Sequence, residues 1–470
     1  MIKKTPIFNT GMSVPVIAIF DIGKTNKKLF LFDENYVIHY ELSCQITETT
    51  DEDGDPCDDI RAIAVWMAEA LESILSNKSF AVRAINASAY GASFVHLDRN
   101  FKVLTPLYNY LKPFPQSLQA KFYETYGGEE KVSLQTASPV LGSLNSGLQL
   151  YRLKYERPGV FNSIAYSLHL PQYISHVMTS RVYSDITSIG SHTLLWDFSK
   201  KDYHEWVYNE GIERLLPKRL KADDVLRTDI ENKKNIAFGG GLHDSSAALI
   251  PYLLIIKEPF VLISTGTWCI SMNPFNESPL TAEELKKDCL CYLSHLAKPV
   301  KASRLFSGHD HEVQCKRLSA HFKQPENYYK SVNCNDSLVK RLSKLNESDS
   351  RDKFLTSGSG GSAFGNRDLS DFSSYEEAYH QLMADIVCLQ ISSTKLVLNS
   401  NVARIFVDGG FSKNKIYMNL LVLAFPKIKV FGASIAQASA LGAALAIHQH
   451  WNTKPVLENI IELNYFPPIK

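Results

Sequence analysis

Three segments of the chain place glycine beside carboxylate or hydroxyl side chains, directly after an apolar run. They are Asp21-Ile22-Gly23-Lys24-Thr25, Ser264-Thr265-Gly266-Thr267 and Asp408-Gly409-Gly410-Phe411-Ser412-Lys413-Asn414. Glycine lets backbone N–H groups approach the oxygens of a phosphate, and a neighbouring hydroxyl can donate to them too. A carboxylate such as Asp21 can hold a hydrated Mg²⁺ ion, because this ion keeps most of its waters. Together the segments predict a site for a phosphate group and Mg²⁺.

The alternative is that each segment is an ordinary turn, which Asp-x-Gly after a strand commonly forms. The chain carries neither G-x-x-x-x-G-K-[ST] nor a dinucleotide fingerprint, so two common nucleotide-binding folds are unsupported. A fourth segment, Gly239-Gly240-Gly241-Leu242-His243-Asp244, ends in a carboxylate ahead of a run of small residues. Asp244 fits a helix N-cap as well as a functional carboxylate, because aspartate is a preferred cap.

The residues around the first segment predict the elements that hold it. Val16–Phe20 is a continuous apolar, β-branched run typical of a buried strand, and Lys28–Asp33 predicts a second strand paired with it in a hairpin. Arg61–Ser76 has the apolar spacing of an amphipathic helix, and Ala81–Ala87 predicts another strand.

The second half of the chain repeats this arrangement. Phe260–Ile263 and Arg404–Val407 predict strands that each end in a glycine segment, and Gly432–Ala446 predicts a helix of small residues suited to close packing. Asn346–Ser374, which is rich in glycine and serine, predicts a surface loop. Two α/β domains that face a shared cleft are the architecture we expect.

Composition narrows the class of function. The 470 residues are 45% hydrophobic, enough for sizeable cores, and 50 basic and 49 acidic side chains leave a net charge of +1. This balance gives no electrostatic basis for binding nucleic acid or an anionic membrane, and it favours small-molecule chemistry. The eight cysteines are scattered, the apolar run Val14–Phe20 is too short for a signal peptide, and nothing approaches a membrane span. We expect a soluble, cytoplasmic protein with reduced thiols.

Two clusters of candidate metal ligands have simpler interpretations. Asp51-Glu52-Asp53-Gly54-Asp55 is acidic, but Pro56 stands where a calcium loop needs glycine, so a solvated loop is favoured. His309-Asp310-His311-Glu312 offers adjacent ligands, which seldom converge on one ion, so a surface or lid segment is favoured. Asp185 is expected to cap a turn rather than touch a substrate.

The order of the glycine segments resembles the two phosphate motifs, the adenosine motif and, at Ser434–Ala446, the second connecting helix of the actin/hexokinase superfamily. Within it the chain is similar to the FGGY family of carbohydrate kinases along nearly its whole length. The landmarks are Tyr90-Gly91-Ala92-Ser93, Leu97-Asp98, Leu104-Thr105-Pro106, Tyr108-Asn109-Tyr110, Asp185–Gly190 and Gly239–Asp244. The resemblance implies an α/β fold of two actin-like (ribonuclease H-like) domains flanking a central cleft. Residues 1–248 would bind sugar and carry the first phosphate motif, and residues 249–470 would bind nucleotide.

The resemblance also implies a transferase that uses ATP and Mg²⁺ to phosphorylate a primary hydroxyl of a small sugar. His243-Asp244 and Ser264-Thr265-Gly266-Thr267-Trp268 resemble the forms in L-fuculose and L-rhamnulose kinases more than those in xylulose or glycerol kinases, which points to a ketose. Two features depart from the family. Lys24 stands where many members carry Thr or Ser, and the C-terminal signature is poorly kept across Ala378–Leu396.

Roles for individual residues follow from the same resemblance. Asp244 is the expected catalytic acceptor of the sugar hydroxyl's proton, and Asp21 is expected to order the waters of Mg²⁺. The nucleotide is expected to contact Asp21, Gly23, Lys24, Thr25, Thr265, Gly266, Thr267, Gly409, Gly410 and Asn414. The sugar is expected to contact Tyr90, Gly91, Tyr108, His243 and Asp244. For Tyr108 a core position, and for His243 a structural role, are equally good interpretations.

Two other functions stay open. One is a kinase for another acceptor, such as xylulose, ribulose, glycerol or an aldonate, which ADP release against a panel of polyols and ketoses would distinguish. The other is a non-catalytic, nucleotide-gated sugar-binding protein of the same fold, which would not require a base at the sugar. The expected partners are small molecules rather than nucleic acid or membrane, and a homodimer is left open.

Overall fold

A computed structural model of the chain describes residues 13–228, 233–348 and 361–468, which form a mixed α/β structure. In chain order the strands are β1 (Val14–Ile22), β2 (Lys27–Asp33), β3 (Ile38–Cys44), β4 (Thr49–Thr50), β5 (Pro56–Cys57), β6 (Phe80–Ala89), β7 (Phe94–Leu97), β8 (Tyr166–His169), β9 (Ser184–Asp185), β10 (Trp196–Asp197), β11 (Asp202–Tyr203), β12 (Arg219–Leu220), β13 (Val225–Leu226), β14 (Ala237–Gly239), β15 (Leu242–His243), β16 (Phe260–Thr265), β17 (Cys269–Asn273), β18 (Cys289–Leu293), β19 (Pro299–Leu305), β20 (Arg404–Gly409), β21 (Lys429–Ser434) and β22 (Glu462–Phe466). The α-helices are α1 (Ile60–Ser76), α2 (Gln116–Tyr126), α3 (Glu129–Thr136), α4 (Ser146–Glu156), α5 (Pro158–Ser163), α6 (Leu170–Thr179), α7 (Ile186–Ile189), α8 (Glu205–Asn209), α9 (Asp244–Ile255), α10 (Ala282–Lys286), α11 (Ser307–Phe322), α12 (Asp336–Ser348), α13 (Tyr375–Val397), α14 (Lys415–Ala424) and α15 (Ala438–Ala446).

The first large sheet has the strand order β13-β14-β6-β1-β2-β3, and β15 also pairs with β6. β1 and β2 form the predicted antiparallel hairpin. β6 runs parallel to β1, and β15 runs parallel to β6, so the carboxyl ends of all three reach the same edge. In register, Asp21 lies opposite Ser88 and His243 lies opposite Ala89. The pairing therefore brings the first glycine segment, Tyr90 and Asp244 to one edge of the sheet.

Helix α1 begins one residue before the predicted start because Asp59 caps it, accepting hydrogen bonds from the backbone N–H groups of Arg61 and Ala62. Val16, Ala18 and Phe20, which alternate along β1, share a buried apolar cluster with the inner face of α1. This packing explains why β1 reads as an apolar run and α1 as an amphipathic helix.

The second large sheet has the strand order β18-β19-β17-β16-β20-β21-β22. The apolar runs Phe260–Ile263 and Arg404–Val407 lie in β16 and β20, as predicted. These two strands are parallel neighbours, with Thr265 opposite Gly409. The two glycine segments of the second half therefore leave the sheet side by side.

The chain folds into two compact units. Among the described residues, the first unit takes the chain up to Ile255, together with Cys291–Pro299 and Ala436–Ile460. The second unit takes Ile256–Leu290, Val300–Ile435 and the residues from Ile461 onward. The division expected from the sequence, after residue 248, falls inside α9, which belongs to the first unit along its whole length.

Helix α15 packs closely on α9 although it comes late in the chain. A Cβ on Gly442 would lie 1.8 Å from the backbone oxygen of Ala247, so glycine is needed for the helices to approach this far. Asn86 of β6 also donates to the backbone oxygen of Ala443 at 2.8 Å. The small residues of α15 therefore serve the close packing that was predicted for them.

Some local expectations are wrong. Gly432–Ser434 belong to β21, because they pair with β22, and the helix begins only at Ala438, after Gln437 has taken a positive φ of 56°. The acidic loop is not simply solvated, because Asp51 is buried against the ammonium group of Lys112.

The segment His309–Glu312 is likewise not a surface or lid segment throughout, because Asp310 and His311 are buried in α11. Asp185 does cap α7, accepting from the Thr187 N–H at 2.8 Å. Of the loop predicted over Asn346–Ser374, residues 349–360 lie outside the described residues. Among the helices that are described, none is long and apolar enough to cross a membrane.

Candidate active site

Asp244 stands at the junction of β15 and α9, where it is the first residue of the helix. Its Oδ1 accepts a hydrogen bond from the Ser245 N–H at 2.6 Å and lies 3.2 Å from Nε2 of His243. The side chain is 39% exposed, so a ligand can reach the carboxylate. The contact with Ser245 fits a structural carboxylate at a helix start, and the exposure fits a functional one.

The ring of His243 is buried beside Asp244 and directly against Gly91. A Cβ on Gly91 would lie 2.8 Å from Cδ2 of the ring, so a larger residue there would displace it. The His243 N–H donates to the Thr187 hydroxyl at 3.0 Å. Burial lowers the pKa of His243 although Asp244 opposes the shift, so the ring is neutral at pH 7. Its Nδ1 has no hydrogen-bond partner among the residues that are described.

Asp21, near the end of β1, faces Ser439 of α15. The Ser439 Oγ lies 3.1 Å from each carboxylate oxygen of Asp21. Burial, and next the charge of Asp244, raise the pKa of Asp21 from its ordinary 3.8 to about 6, although Ser439, Lys28 and Ser88 oppose the shift. Two carboxylates that sense each other's charge form an acidic pair that a cation would stabilise.

The chemistry of this pair fits Mg²⁺, which prefers oxygen ligands and keeps several waters. Within the described ranges there is no group of three or more His, Cys, Asp or Glu side chains that could hold a metal ion directly. A hydrated ion contacted by one or two carboxylates is compatible with both observations.

The first glycine segment forms a tight turn between β1 and β2. The Gly23 N–H donates to the backbone oxygen of Asn26 at 3.0 Å, and a Cβ on Gly23 would lie 3.2 Å from that oxygen. Thr25 is exposed, so its hydroxyl is accessible to a ligand.

A buried aspartate that the sequence did not single out, Asp58, joins this turn to Tyr90. Asp58 accepts hydrogen bonds at 2.7 Å from Lys24 Nζ, from Lys27 Nζ and from the Tyr90 hydroxyl. Lys24 also pairs with Glu48 at 2.8 Å. The Lys24 ammonium and the Tyr90 hydroxyl are therefore engaged inside the protein. Nothing in the local sequence marks Asp58, because its donors come from the β1–β2 turn and from the end of β6.

Tyr108 has its side chain in a different network. Its hydroxyl donates to Glu52, and its ring centroid lies 5.5 Å from Nζ of Lys112. Lys112 pairs in turn with three carboxylates, those of Asp51, Asp53 and Asp55. The Ser93 hydroxyl donates to the backbone oxygen of Tyr108 at 3.0 Å. Among the described hydrogen bonds, Tyr108 is therefore linked to the Tyr90–Ser93 segment through its backbone and not through its side chain.

In the second unit, Thr265 and Gly409 fix two glycine segments against each other. The Thr265 hydroxyl donates to the Asp408 backbone oxygen at 2.5 Å and accepts from the Phe411 N–H at 3.0 Å. Gly409 has φ +89°, and a Cβ there would lie 2.0 Å from the Thr265 backbone oxygen, so the position requires glycine. The Thr265 hydroxyl is thus used within the protein, whereas Thr267 is exposed and can reach a ligand.

A cavity of about 970 Å³ lies in the second unit beside these segments. Of the residues predicted to contact nucleotide, it is lined by Thr265, Gly266, Thr267, Gly410 and Asn414. Its other lining residues include the rings of His311, Tyr329, Tyr379 and Phe411. Backbone N–H groups and hydroxyls suit phosphates, and aromatic rings suit a base, so the cavity has the chemistry and the volume for a nucleotide.

Comparison with known families gives two matches. The family model described as "FGGY family of carbohydrate kinases, N-terminal domain" matches residues 16–250. The model described as "Carbohydrate kinase FGGY, C-terminal domain" matches residues 257–455. Together they cover most of the chain.

Curated relatives match this chain at low sequence identity. A rhamnulokinase of Halalkalibacterium halodurans is 22% identical over 256 residues, which are 53% of this chain and 52% of that protein. An L-fuculokinase of Salmonella typhi is 26% identical over 274 residues, which are 56% of this chain and 57% of that protein. The chain thus spans about half the length of the curated relatives it matches.

Solved structures match over nearly the whole chain. A carbohydrate kinase from Novosphingobium aromaticivorans has a TM-score of 0.78 at 20% identity, covering 98% of this chain and 95% of that one. A ligand-bound xylulose kinase from Lactobacillus acidophilus has a TM-score of 0.77 at 14% identity, covering 97% and 94%. At such identities the likeness shows the fold, and it confirms the expected two-domain actin-like α/β class.

Proposed function

The chain belongs to the FGGY family of carbohydrate kinases, and from this membership we propose that it transfers the γ-phosphoryl group of ATP to a primary hydroxyl of a small sugar. The observation that carries the proposal is the accessible carboxylate of Asp244 at the start of α9, held 3.2 Å from a buried histidine ring. A non-catalytic binding protein would not require a base at this position. A ketose such as L-rhamnulose or L-fuculose is the proposed acceptor, supported by the names of the curated relatives.

Asp244 is the proposed acceptor of the sugar hydroxyl's proton. Kinase catalysis is mainly positioning and charge stabilisation, with a carboxylate that takes the proton as the hydroxyl oxygen bonds to the γ-phosphorus and ADP leaves. A neutral His243 with its proton on Nε2 would turn the positive end of its N–H dipole toward Oδ1 of Asp244, 3.2 Å away, and the Ser245 N–H holds the same oxygen at 2.6 Å. The same tautomer leaves Nδ1 as a buried acceptor without a partner among the described residues.

Asp21 is the proposed partner of Mg²⁺, through bound water. When bound, the ion would neutralise negative charge on the transferring phosphates. Nearby positive charge favours the ionised carboxylate, so Asp21 would carry its full charge in that state. The Ser439 hydroxyl, at 3.1 Å from both oxygens, keeps the carboxylate oriented.

The cavity of the second unit is the proposed nucleotide site. Thr267 and Gly410 are the proposed phosphate contacts there, while Gly266, whose N–H donates to the Trp268 backbone oxygen at 2.9 Å, and the buried Thr265 and Gly409 hold the two turns in place. Asn414 lines the same cavity. In the first unit, Thr25 is the proposed phosphate contact, whereas Gly23, whose N–H is bonded to the Asn26 backbone oxygen, shapes the turn that presents it. Lys24 neutralises Asp58 and Glu48, and in this way it supports the turn.

The sugar is proposed to contact Gly91, His243 and Asp244. Tyr90 and Tyr108 were expected to contact it as well. The hydroxyls of these two residues donate to Asp58 and Glu52, so neither is free to donate to a sugar.

A substrate panel tests the proposal. Purified protein with Mg²⁺ and ATP is offered L-rhamnulose, L-fuculose, D-xylulose, D-ribulose, glycerol and gluconate, and ADP release is followed in a coupled assay. We expect one of the deoxyketoses to give the highest kcat/KM, with turnover falling at least about a hundredfold in Asp244→Asn, which excludes a contaminating kinase. Preference for glycerol or gluconate would overturn the ketose assignment. Sugar binding without turnover of any acceptor would favour the non-catalytic function.

A further inference from the structure

Three side chains that line the cavity of the second unit form one hydrogen-bond chain. Asn414 Nδ2 donates to the Tyr379 hydroxyl at 2.8 Å, and this hydroxyl lies 3.1 Å from Nε2 of His311. Asn414 precedes α14, Tyr379 lies on α13 and His311 lies on α11. Tyr379 is 1% exposed and His311 is 9% exposed. This hydrogen-bonded set of Asn414, Tyr379 and His311, called the relay below, therefore links three helices that surround the proposed nucleotide site.

The cap of α14 fixes the direction of these hydrogen bonds. The Asn414 Oδ1 accepts from the backbone N–H groups of Ile416 and Tyr417 at 3.0 and 3.1 Å. The amide must therefore turn its Nδ2 donors toward Tyr379. Because the Tyr379 oxygen accepts from Asn414, its own proton is available for Nε2 of His311. A proton on that Nε2 instead would leave the buried Tyr379 proton without this acceptor, which is costly.

The network thus assigns the neutral Nδ1–H tautomer to His311. Burial lowers the pKa of His311 to about 4, although Asp310 and Glu312 oppose the shift, so the ring is neutral at pH 7. Cys315, whose Sγ lies 3.4 Å from Nε2, does not form an ion pair with the ring, because burial raises its own pKa to about 12. The cavity therefore holds a neutral relay rather than a reactive thiolate.

The relay is bonded to one end of the turn Gly410–Lys413, which lines the cavity. Gly410, Phe411 and Lys413 of this turn face the cavity, and the turn ends at Asn414. At its start it is held by the Thr265 hydroxyl, which accepts from the Phe411 N–H at 3.0 Å. At its end it is held by Asn414, whose Oδ1 caps α14 and whose Nδ2 is bonded to the Tyr379 hydroxyl.

We propose that Tyr379 is a positioning residue for nucleotide binding, which acts through the amide of Asn414. His311 is the last member of the relay and accepts a hydrogen bond from the Tyr379 hydroxyl. This rests on the proposed function, because the cavity is taken as the nucleotide site. Removal of the Tyr379 hydroxyl leaves the Asn414 amide held by its two cap hydrogen bonds alone, so the end of the turn is less firmly fixed.

Tyr379→Phe tests the relay, and Tyr375→Phe is its matched control. Tyr375 lies one turn earlier on α13 and stacks on Tyr379 with ring centroids 6.2 Å apart. It is 2% exposed, and its hydroxyl, although near Ser319, makes no hydrogen bond of normal geometry among the described residues. Both variants therefore remove one buried hydroxyl from the same helix, but only Tyr379→Phe breaks the relay.

Binding of MgADP to each full-length variant is measured by calorimetry. We expect Tyr379→Phe to raise the Kd for MgADP about three- to tenfold, the worth of one hydrogen bond, and Tyr375→Phe to leave it within about twofold. Backbone amide exchange at Ile416 and Tyr417 should accelerate in Tyr379→Phe alone. Equal Kd values in the two variants, with the wild type binding MgADP, would overturn the relay and leave the proposed function standing. Failure of the wild type to bind MgADP would overturn the proposed function, and the exchange rates at Ile416 and Tyr417 would then decide the relay.

Asn414→Asp gives a second readout that holds even if Tyr379→Phe does not fold. The carboxylate keeps the cap of α14 but accepts a hydrogen bond from the Tyr379 hydroxyl, so Nε2 of His311 loses that donor and we expect it to donate to the Tyr379 oxygen instead. The ¹⁵N chemical shifts of His311 should therefore change from the Nδ1–H to the Nε2–H pattern. The Nε2–H pattern already present in the wild type, or no change in the variant, would contradict the relay.

Discussion

Oδ1 of Asp244 lies 3.2 Å from Nε2 of His243, and these neighbours differ sharply in exposure: the aspartate side chain is 39% exposed and the histidine side chain 8%. The buried ring cannot turn freely, because Gly91 lies against it and Thr187 holds its backbone. The ring therefore has a fixed place beside the carboxylate, which the Ser245 N–H holds at 2.6 Å and which stays accessible. Fixed geometry and access are what a general base needs, and both can be tested.

Asp244→Asn should lower kcat about a hundred- to ten-thousand-fold, the usual cost of losing a positioned general base. Asparagine keeps the shape and the hydrogen bonds but cannot accept the proton, so the affinities for sugar and ATP and the Tm should barely change. Steady-state kinetics, calorimetry and thermal unfolding measure these quantities. Asp59→Asn, at the cap of α1, is the control, because asparagine caps a helix as well as aspartate does. Turnover of Asp244→Asn within a few-fold of wild type would leave Asp244 a structural residue.

Asp21→Asn should stabilise the metal-free protein at pH 8. The pKa of Asp21 is raised to about 6, so the fold binds this proton more tightly than the unfolded chain does. The ionised carboxylate therefore costs stability above pH 6, and the cost disappears as the pH falls through 6 toward 4. We expect a gain of the order of 1–3 kcal/mol in the free energy of unfolding at pH 8 and almost none at pH 4, measured by urea unfolding.

The same substitution should weaken Mg²⁺-dependent turnover, and the KM for Mg²⁺ of the wild type should rise as the pH falls below about 6. Asp371→Asn, at an exposed position, is the control and should change neither property. Equal stabilities of Asp21→Asn and wild type at pH 8 would show that burial and Asp244 do not act on Asp21 as inferred.

Gly409→Ala and Gly410→Ala should separate stability from nucleotide binding. At Gly409 the positive φ and the approach of the Thr265 backbone oxygen to 2.0 Å of a Cβ predict a loss of at least about 1–3 kcal/mol of stability. At Gly410 the nearest such atom is 4.0 Å away, so the Tm should hold. The new methyl group enters the cavity lining, so the KM for ATP should rise several-fold. Thermal unfolding and ATP titrations check the pair, and the reverse pattern would contradict the geometry of this turn.

Gly91→Ala should impair use of the sugar and spare the nucleotide. A Cβ at this position would come within 2.8 Å of the His243 ring, and the displaced ring would shift Asp244. A misplacement of about 1 Å at a catalytic group costs on the order of a hundredfold, so kcat/KM for the sugar should fall about ten- to a hundredfold with the KM for ATP unchanged. Gly159→Ala in α5, where a Cβ meets nothing within 4 Å, is the control. An unchanged kcat/KM for the sugar would remove His243 and Gly91 from the site.

The sequence by itself determined the elements whose signal is local. The apolar runs at Val16–Phe20 and Arg404–Val407 became strands β1 and β20, and Arg61–Ser76 became α1, because burial on a sheet or on one helix face imposes a short period on the chain. The glycine segments marked the strand ends, since only glycine tolerates a conformation such as that of Gly409. The family resemblance rested on these same segments, and the family models match both halves of the chain.

Only the tertiary structure decided how the polar side chains of the site are used. Asp21 and Ser439, which share two contacts at 3.1 Å, are 418 positions apart in the chain. Asp58 is hydrogen-bonded to Lys24 and Tyr90. Tyr379 is hydrogen-bonded to Asn414 and His311, and the separations along the chain reach 68 positions. The residue type alone shows that a hydroxyl or ammonium group is a donor, but the acceptor that it meets depends on which strands and helices pack together. For that reason Thr265, Lys24 and Tyr90, which the sequence assigned to ligands, have their polar atoms bonded within the protein.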